Sequence, residues 1–287
     1  MQDITEVKKI TIHIGAHKTG STHLQSRLEK SEYTLNSNGI SYIPLNKFRE
    51  NFKKLINNSE PLINSLGSYM TAKHVLISDE NILGNIWGSH NATYPNVKRN
   101  LQSLLGEFKG IDIDFHLTIR NYEDFFISSY FEFLRHQKYI NFTSFFRNIN
   151  RIGFSWVDLV NEIKSAGAEN LIISEYKNIF ENEELYFYTL LGRTDLLLEK
   201  ADSEPSIRRS RLSKEGYDVL NYIARKYSPL ATKKAIWALD NCTQSTSSTR
   251  FKPFSHDQSV LLSQQYIADL EALKGLMTYF KDSSSEA

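Results

Sequence analysis

The residues best equipped for chemistry lie close together near the start of the chain, in Gly15-Ala16-His17-Lys18-Thr19-Gly20-Ser21-Thr22. A glycine-bearing loop that opens a helix exposes backbone N–H groups at the positive end of the helix dipole, which suits a phosphate or sulfate group. The Ser and Thr hydroxyls add donors, and Lys18 adds a mobile positive charge. The same composition is also compatible with a simple strand-to-helix turn capped by Ser or Thr. Farther along, Arg120 precedes Ser128 by eight residues within RNYEDFFISSYFEFLR. A guanidinium forms a charge-assisted fork with phosphate and a helix-borne hydroxyl can support it, whereas the ordinary alternative is a surface ion pair and an unremarked helix position. Glu80, after Ser78 and Asp79, offers a carboxylate for proton transfer, and the alternative is a helix-capping Asp79 beside a solvated Glu80. His17 is the second candidate base, because imidazole titrates near neutrality. His13, His17 and His23 fall on a strand, a loop and a helix with no Cys or paired carboxylate beside them, a pattern that argues against a metal site.

These residues need elements to position them. The run ITIHIG after Lys9 reads as a strand and THLQSRLEK as the helix that follows the loop. Similar short apolar runs at 74–80, 111–120 and 170–176 each end in polar or charged residues, where ligands collect in an open α/β sheet. Helices at 96–109, 122–135 and 155–166 are long enough to be crossovers between parallel strands. Beyond about residue 181 only helices are expected, at 182–191, 211–227, 229–240 and 257–280. The expected architecture is α/β, a three-layer fold with a central parallel sheet and a helical C-terminal region, in one domain spanning 1–287. Phe125, Phe126, Tyr130 and Phe133 recur at helical spacing and are expected to be mainly core.

The loop is similar to a Walker A motif but places its lysine two residues before Gly20 and puts Ser21 where Walker A has Lys, which disfavours an ATP or GTP site. Lys18-Thr19-Gly20-Ser21-Thr22 instead resembles the 5′-phosphosulfate loop of the PAPS-dependent sulfotransferases, and HIGAHKTGSTHLQ is especially similar to their bacterial, carbohydrate-type branch. PAPS is 3′-phosphoadenosine-5′-phosphosulfate. The Arg120 to Ser128 spacing is similar to the family's 3′-phosphate site. The resemblance implies a P-loop-like fold and transfer of a sulfuryl group from PAPS to a hydroxyl of a carbohydrate or glycoconjugate, releasing adenosine 3′,5′-bisphosphate without a metal. It implies Lys18, Thr19, Gly20, Ser21 and Thr22 as donor-binding residues, with Arg120 and Ser128 on the 3′-phosphate. Lys18 would stabilise the leaving oxygen, and Glu80, similar in place to a family Ser-x-Glu, or else His17, would be the base. Arg250 and Lys252 would fit a basic loop over the nucleotide, with Arg208 and Arg209 as further candidates; a solvated charged surface is the alternative. Two rival readings are a nucleotide kinase or NTPase-like enzyme and a non-catalytic module that binds the bisphosphate.

Composition sets the outer limits. The 287 residues carry 34 Lys+Arg against 33 Asp+Glu, a net charge of +1, so a diffuse polyanion-binding surface is excluded and nucleic acid is not an expected partner. A hydrophobic content of 40% permits a sizeable core. The lone Cys242, the absence of a secretory h-region at the start and the absence of a long apolar span lead to an expectation of a cytoplasmic protein with no membrane span.

Overall fold

The computed structural model describes residues 7–86, 93–150, 153–200, 213–240 and 249–277. Cys242, Arg208, Arg209 and most of the Ser/Thr-rich stretch at 243–249 lie outside them. Five strands, β1 (Lys9–Gly15), β2 (Ile40–Tyr42), β3 (His74–Ser78), β4 (Asp112–Ile119) and β5 (Leu171–Glu175), form one sheet in the order β2-β3-β1-β4-β5, and every pairing is parallel. In β1 every residue from Ile10 to Gly15 is buried. Successive side chains point to opposite faces, so burial of both sets means that helices cover both faces and the fold has three layers. On one face Leu24 and Leu28 of the helix Ser21–Lys30 and Tyr186, Phe187 and Leu190 of the helix Glu183–Leu191 cluster with Leu76 of β3.

The order places β1 in the centre, with β3 on one side and β4 on the other. The chain leaves β1 toward β2 and β3 and later crosses to β4, so the C-terminal end of β1 is a topological switch point, the usual ligand position in such sheets. The β1–β4 register shifts between His13 and Gly15. That irregularity re-aims the chain just before the glycine loop begins.

The described residues divide into two compact units, one within 1–120, 155–201 and 268–287, the other within 121–154 and 202–267. The first contains the sheet. The second contains the helices Tyr122–His136, Phe142–Ile149, Lys214–Lys226 and Pro229–Asp240 around an aromatic core. In it Tyr130, Phe142 and Tyr217 surround Phe251. Phe125, Phe126 and Tyr130 are buried as expected, and Phe133 is half-buried. Among the described residues no helix is long and apolar enough to cross a membrane.

The β1, β3 and β4 register aligns a polar row across the interior. His74 bonds Thr11 (2.8 Å), while His13 Nδ1 meets Ser78 Oγ (2.9 Å) and Nε2 meets Thr118 Oγ1 (3.4 Å). Burial pushes His13 and His74 down to about 4 and His116 down to about 3. These imidazoles are neutral in the folded protein and take up protons on unfolding once the pH is below 6.5, the ordinary histidine value. Their stabilisation is complete above that pH and is lost as the pH falls toward 4, each by up to about 1.4 kcal/mol per pH unit. Asp79, raised to about 6 mainly by burial, works in the opposite direction and offsets one of the three. Denaturant melts at pH 7 and pH 5 should therefore show a clear stability loss at pH 5; an unchanged midpoint contradicts the neutral, buried histidine row.

Candidate functional site

The glycine loop continues from β1 and returns as the helix Ser21–Lys30. Its path needs three left-handed residues, Gly15 (φ 95°), Lys18 (φ 64°) and Gly20 (φ 87°). Glycine adopts this conformation freely, but lysine does so at a cost of about 1–3 kcal/mol, so the surroundings must hold it. They do so from β4 and from within the loop. Ala16 N–H donates to Thr118 O (2.8 Å), Arg120 Nη1 donates to Lys18 O (2.8 Å), and Thr19 Oγ1 donates to Ala16 O (2.5 Å). Position 15 must also lack a side chain, because a Cβ there would lie 2.7 Å from Glu80 Cβ.

Gly20 is the N-cap of the following helix, no side chain caps that end, and its first turn contains no acid. The sequence left open a Ser or Thr cap; the structure replaces it with a left-handed glycine, leaving the dipole end to attract an anion. Ser21 is the first helical residue and is buried, and Thr22 is exposed. Thr19 is fully buried and its hydroxyl is used to shape the loop.

Arg120 is only 4% exposed, with its guanidinium 4.1 Å over the Tyr176 ring and its backbone carbonyl accepting from Trp156 Nε1 (2.9 Å). It braces the loop from behind. Ser128 lies half-buried on the helix Tyr122–His136, in the second unit. Arg250 and Lys252, also of that unit, are exposed; Arg250 pairs with Asp124 (2.7 Å) and bridges Ser213 through its backbone, while Phe251 between them is buried. The first unit thus gathers Lys18–Thr22, His17, Glu80 and Arg120, and the second unit carries Ser128, Arg250 and Lys252.

The strand expected over 74–80 ends at Ser78, because Asp79 caps a 3₁₀ turn, Glu80–Leu83, by accepting from Asn81 N–H (3.0 Å). The ordinary alternative for Asp79 is therefore observed, and with it an ion pair: Arg49 Nε and Nη2 donate to Asp79 Oδ1 at 3.0 and 2.9 Å. Arg49 Nη2 also donates to Glu80 Oε1 (2.9 Å), and Gln25 Nε2 donates to Glu80 Oε2 (3.2 Å). Burial alone would raise the Glu80 carboxyl, but His17, Arg49, its own backbone and Gln25 outweigh that and hold it below the usual range. Arg49 and Gln25 act whatever the charge of His17, so Glu80 is an ionised carboxylate at neutral pH.

His17 sits beside this carboxylate. Its backbone N–H donates to Tyr94 OH (3.1 Å), and with the Asn81 amide turned so that its nitrogen donates to His17 Nε2 (3.2 Å), the Asn81 oxygen accepts from Arg49 (2.9 Å). Nε2 then accepts and Nδ1 carries the proton. Burial, together with the cations Lys18 and Arg49, lowers the His17 pKa despite the opposing Glu80 charge. His23 is engaged elsewhere, on Glu183 (2.7 Å), so the three histidines do not converge.

Sequence reading missed Arg49, Gln25, Asn81, Tyr94 and Tyr176. Gln25 follows Ser21 by four residues on one helix face, and Tyr176 follows directly on β5, so both carried a positional signal. Arg49 carried none, because its partners are 30 and 31 positions away.

No family model matches the chain, and no curated protein matches it. Among solved structures the chain is similar to a sulfotransferase from Alicyclobacillus acidocaldarius, with 13% identity, 80% of this chain and 96% of that one covered, and a TM-score of 0.44. It is also similar to retinol dehydratase in complex with androsterone and the inactive cofactor PAP, with 13% identity, 92% and 80% of the two chains covered, and a TM-score of 0.37.

Proposed function

We propose that the chain is a PAPS-dependent sulfotransferase that transfers a sulfuryl group to a hydroxyl of a carbohydrate or glycoconjugate. The observation that carries this reading is the loop Lys18-Thr19-Gly20-Ser21-Thr22 at the end of the central strand, entering a helix whose N-terminus has neither a capping side chain nor an acid. Those features fit an anionic donor, and the missing lysine after Gly20 disfavours a nucleoside triphosphate. When bound, PAPS supplies an activated sulfuryl group, and charge develops on the phosphate oxygen that leaves.

In this reading the backbone of Gly20, Ser21 and Thr22 holds the 5′-phosphosulfate, Thr19 fixes the loop, and Lys18 places its ammonium where the leaving oxygen gains charge. Glu80, ionised and oriented by Arg49 and Gln25, accepts the hydroxyl proton. His17 is the second candidate, with only Nδ1 carrying a proton. Arg120 supports the conformation of Lys18 by donating from Nη1 to the Lys18 carbonyl, and its role on the 3′-phosphate, like that of Ser128, Arg250 and Lys252, is carried over from sequence resemblance. The assigned roles use no metal.

Transfer of labelled sulfate from PAPS to a panel of mono- and oligosaccharide hydroxyls tests the reading. Labelled product supports it. Bisphosphate binding without transfer to any member of the panel favours a binding module instead.

A further inference from the structure

A cavity of about 530 Å³ lies against the end of β3, within the roughly 300–1,000 Å³ typical of small-molecule sites. It belongs wholly to the first unit. Asp79 and Asn81, on either side of Glu80 in the chain, contribute to its wall. Arg49, Phe52, Lys53 and Ile56 come from one face of the helix Leu45–Ile56, at the i, i+3, i+4, i+7 spacing that aligns side chains.

The lining is unusually specific in its chemistry. Five asparagines, Asn57, Asn81, Asn85, Asn96 and Asn100, contribute amides; that of Asn81 is taken up by His17 and Arg49, and the other four can both donate and accept. Three cations, Arg49, Lys53 and Arg99, face a single acid, Asp79. Arg49 is already committed to Asp79 and Glu80. Arg99 reaches only the Asn100 amide oxygen (3.4 Å), and among the described residues neither Arg99 nor Lys53 is ion-paired. Asp79 Oδ2 is buried without a hydrogen-bond partner. That atom has no accessible surface, so its cost is borne by the fold and it is not a contact that the cavity offers. An amide-rich wall suits vicinal hydroxyls, while two uncommitted cations suit an acid group on the same molecule.

We propose that this cavity binds the acceptor, and that the acceptor is a carbohydrate already carrying an anionic group, with Lys53 and Arg99 on the acid and the asparagine amides on the sugar hydroxyls. Its role as an acceptor site rests on the sulfotransferase reading. The link between cavity and loop is the Asn81 amide, which contacts His17 on one side and Arg49 on the other. The negative group could be a carboxylate or a sulfate, since both accept a guanidinium fork.

The test is calorimetric titration of the full chain, with and without adenosine 3′,5′-bisphosphate, using a disaccharide panel in which each member is supplied as neutral, 6-carboxylate and 6-sulfate forms. Tighter binding of anionic forms by about tenfold or more is expected, shrinking with added salt. The double variant Lys53→Gln/Arg99→Gln should lose that preference while keeping its affinity for the bisphosphate, which also shows that it is folded. A preference confined to one charged form identifies the acid group. Equal binding of neutral and charged forms, no disaccharide binding, or a preference that survives in the double variant overturns the proposal. If the bisphosphate does not bind but the anionic preference is present and lost in the variant, the carbohydrate site stands and the donor assignment falls.

Discussion

Lys18→Ala should lower kcat by about 10²–10³-fold with little change in affinity for the bisphosphate product, because the ammonium is needed most where charge develops on the leaving oxygen. The loop backbone makes this a clean experiment. Lys18 is held in the left-handed region by Ala16, Thr19 and Arg120, all of which bond to or through main-chain atoms of the loop. Alanine inherits the same strained conformation, so stability should change little. Lys18→Gly should relieve the strain, leaving stability equal or higher while the rate remains low. Steady-state kinetics together with thermal melts separate the cases. A kcat within a few-fold of the parent in both variants would remove Lys18 from the chemistry.

The second large effect concerns the base. Glu80→Gln keeps the shape of the side chain and an oxygen for Gln25 but removes the negative charge, and it should lower kcat by about 10²–10⁴-fold. The pH profile checks the protonation state of Glu80, and comparison of the two variants distinguishes it from His17. A general base loses activity when it becomes protonated, so the acid limb of the parent profile follows the base. With Glu80 held below the ordinary carboxylate value of 4.5, kcat/KM should stay flat from pH 8 down to pH 5, the protein being kept folded throughout. With His17 as base, His17→Ala would be the more damaging variant and Glu80→Gln the milder one. Full activity in Glu80→Gln rejects the assignment.

Much of the scaffold was readable because its strands are short β-branched runs that stop at polar residues. β1, β3, β4 and β5 therefore stood out, each within a residue or two of its observed limits. β2 did not: three residues at the sheet edge, Ile40–Tyr42, are too few to show a period. The helix Leu45–Ile56 was also missed, although it supplies Arg49 and one wall of the cavity.

At the site, residue types and order marked the loop, but its internal arrangement depends on the chain returning beside itself. Thr19 turns its hydroxyl inward, and Arg120 reaches Lys18 across 102 positions of sequence because β4 lies alongside β1. Asp79 and Glu80 look alike in sequence. Only their surroundings separate them: Asp79 is fully buried and raised toward 6, whereas Glu80 is held ionised by Arg49 and Gln25. Two neighbouring carboxylates pushed apart in this way are a common basis for acid–base division of labour.

The central claim is that the loop after β1 recognises the sulfate donor and not a nucleoside triphosphate, and direct titration of the full chain with adenosine 3′,5′-bisphosphate and with ATP·Mg tests it most directly. The bisphosphate is expected to bind at least about tenfold more tightly. Preference for ATP·Mg, or no binding of the bisphosphate, would contradict the account.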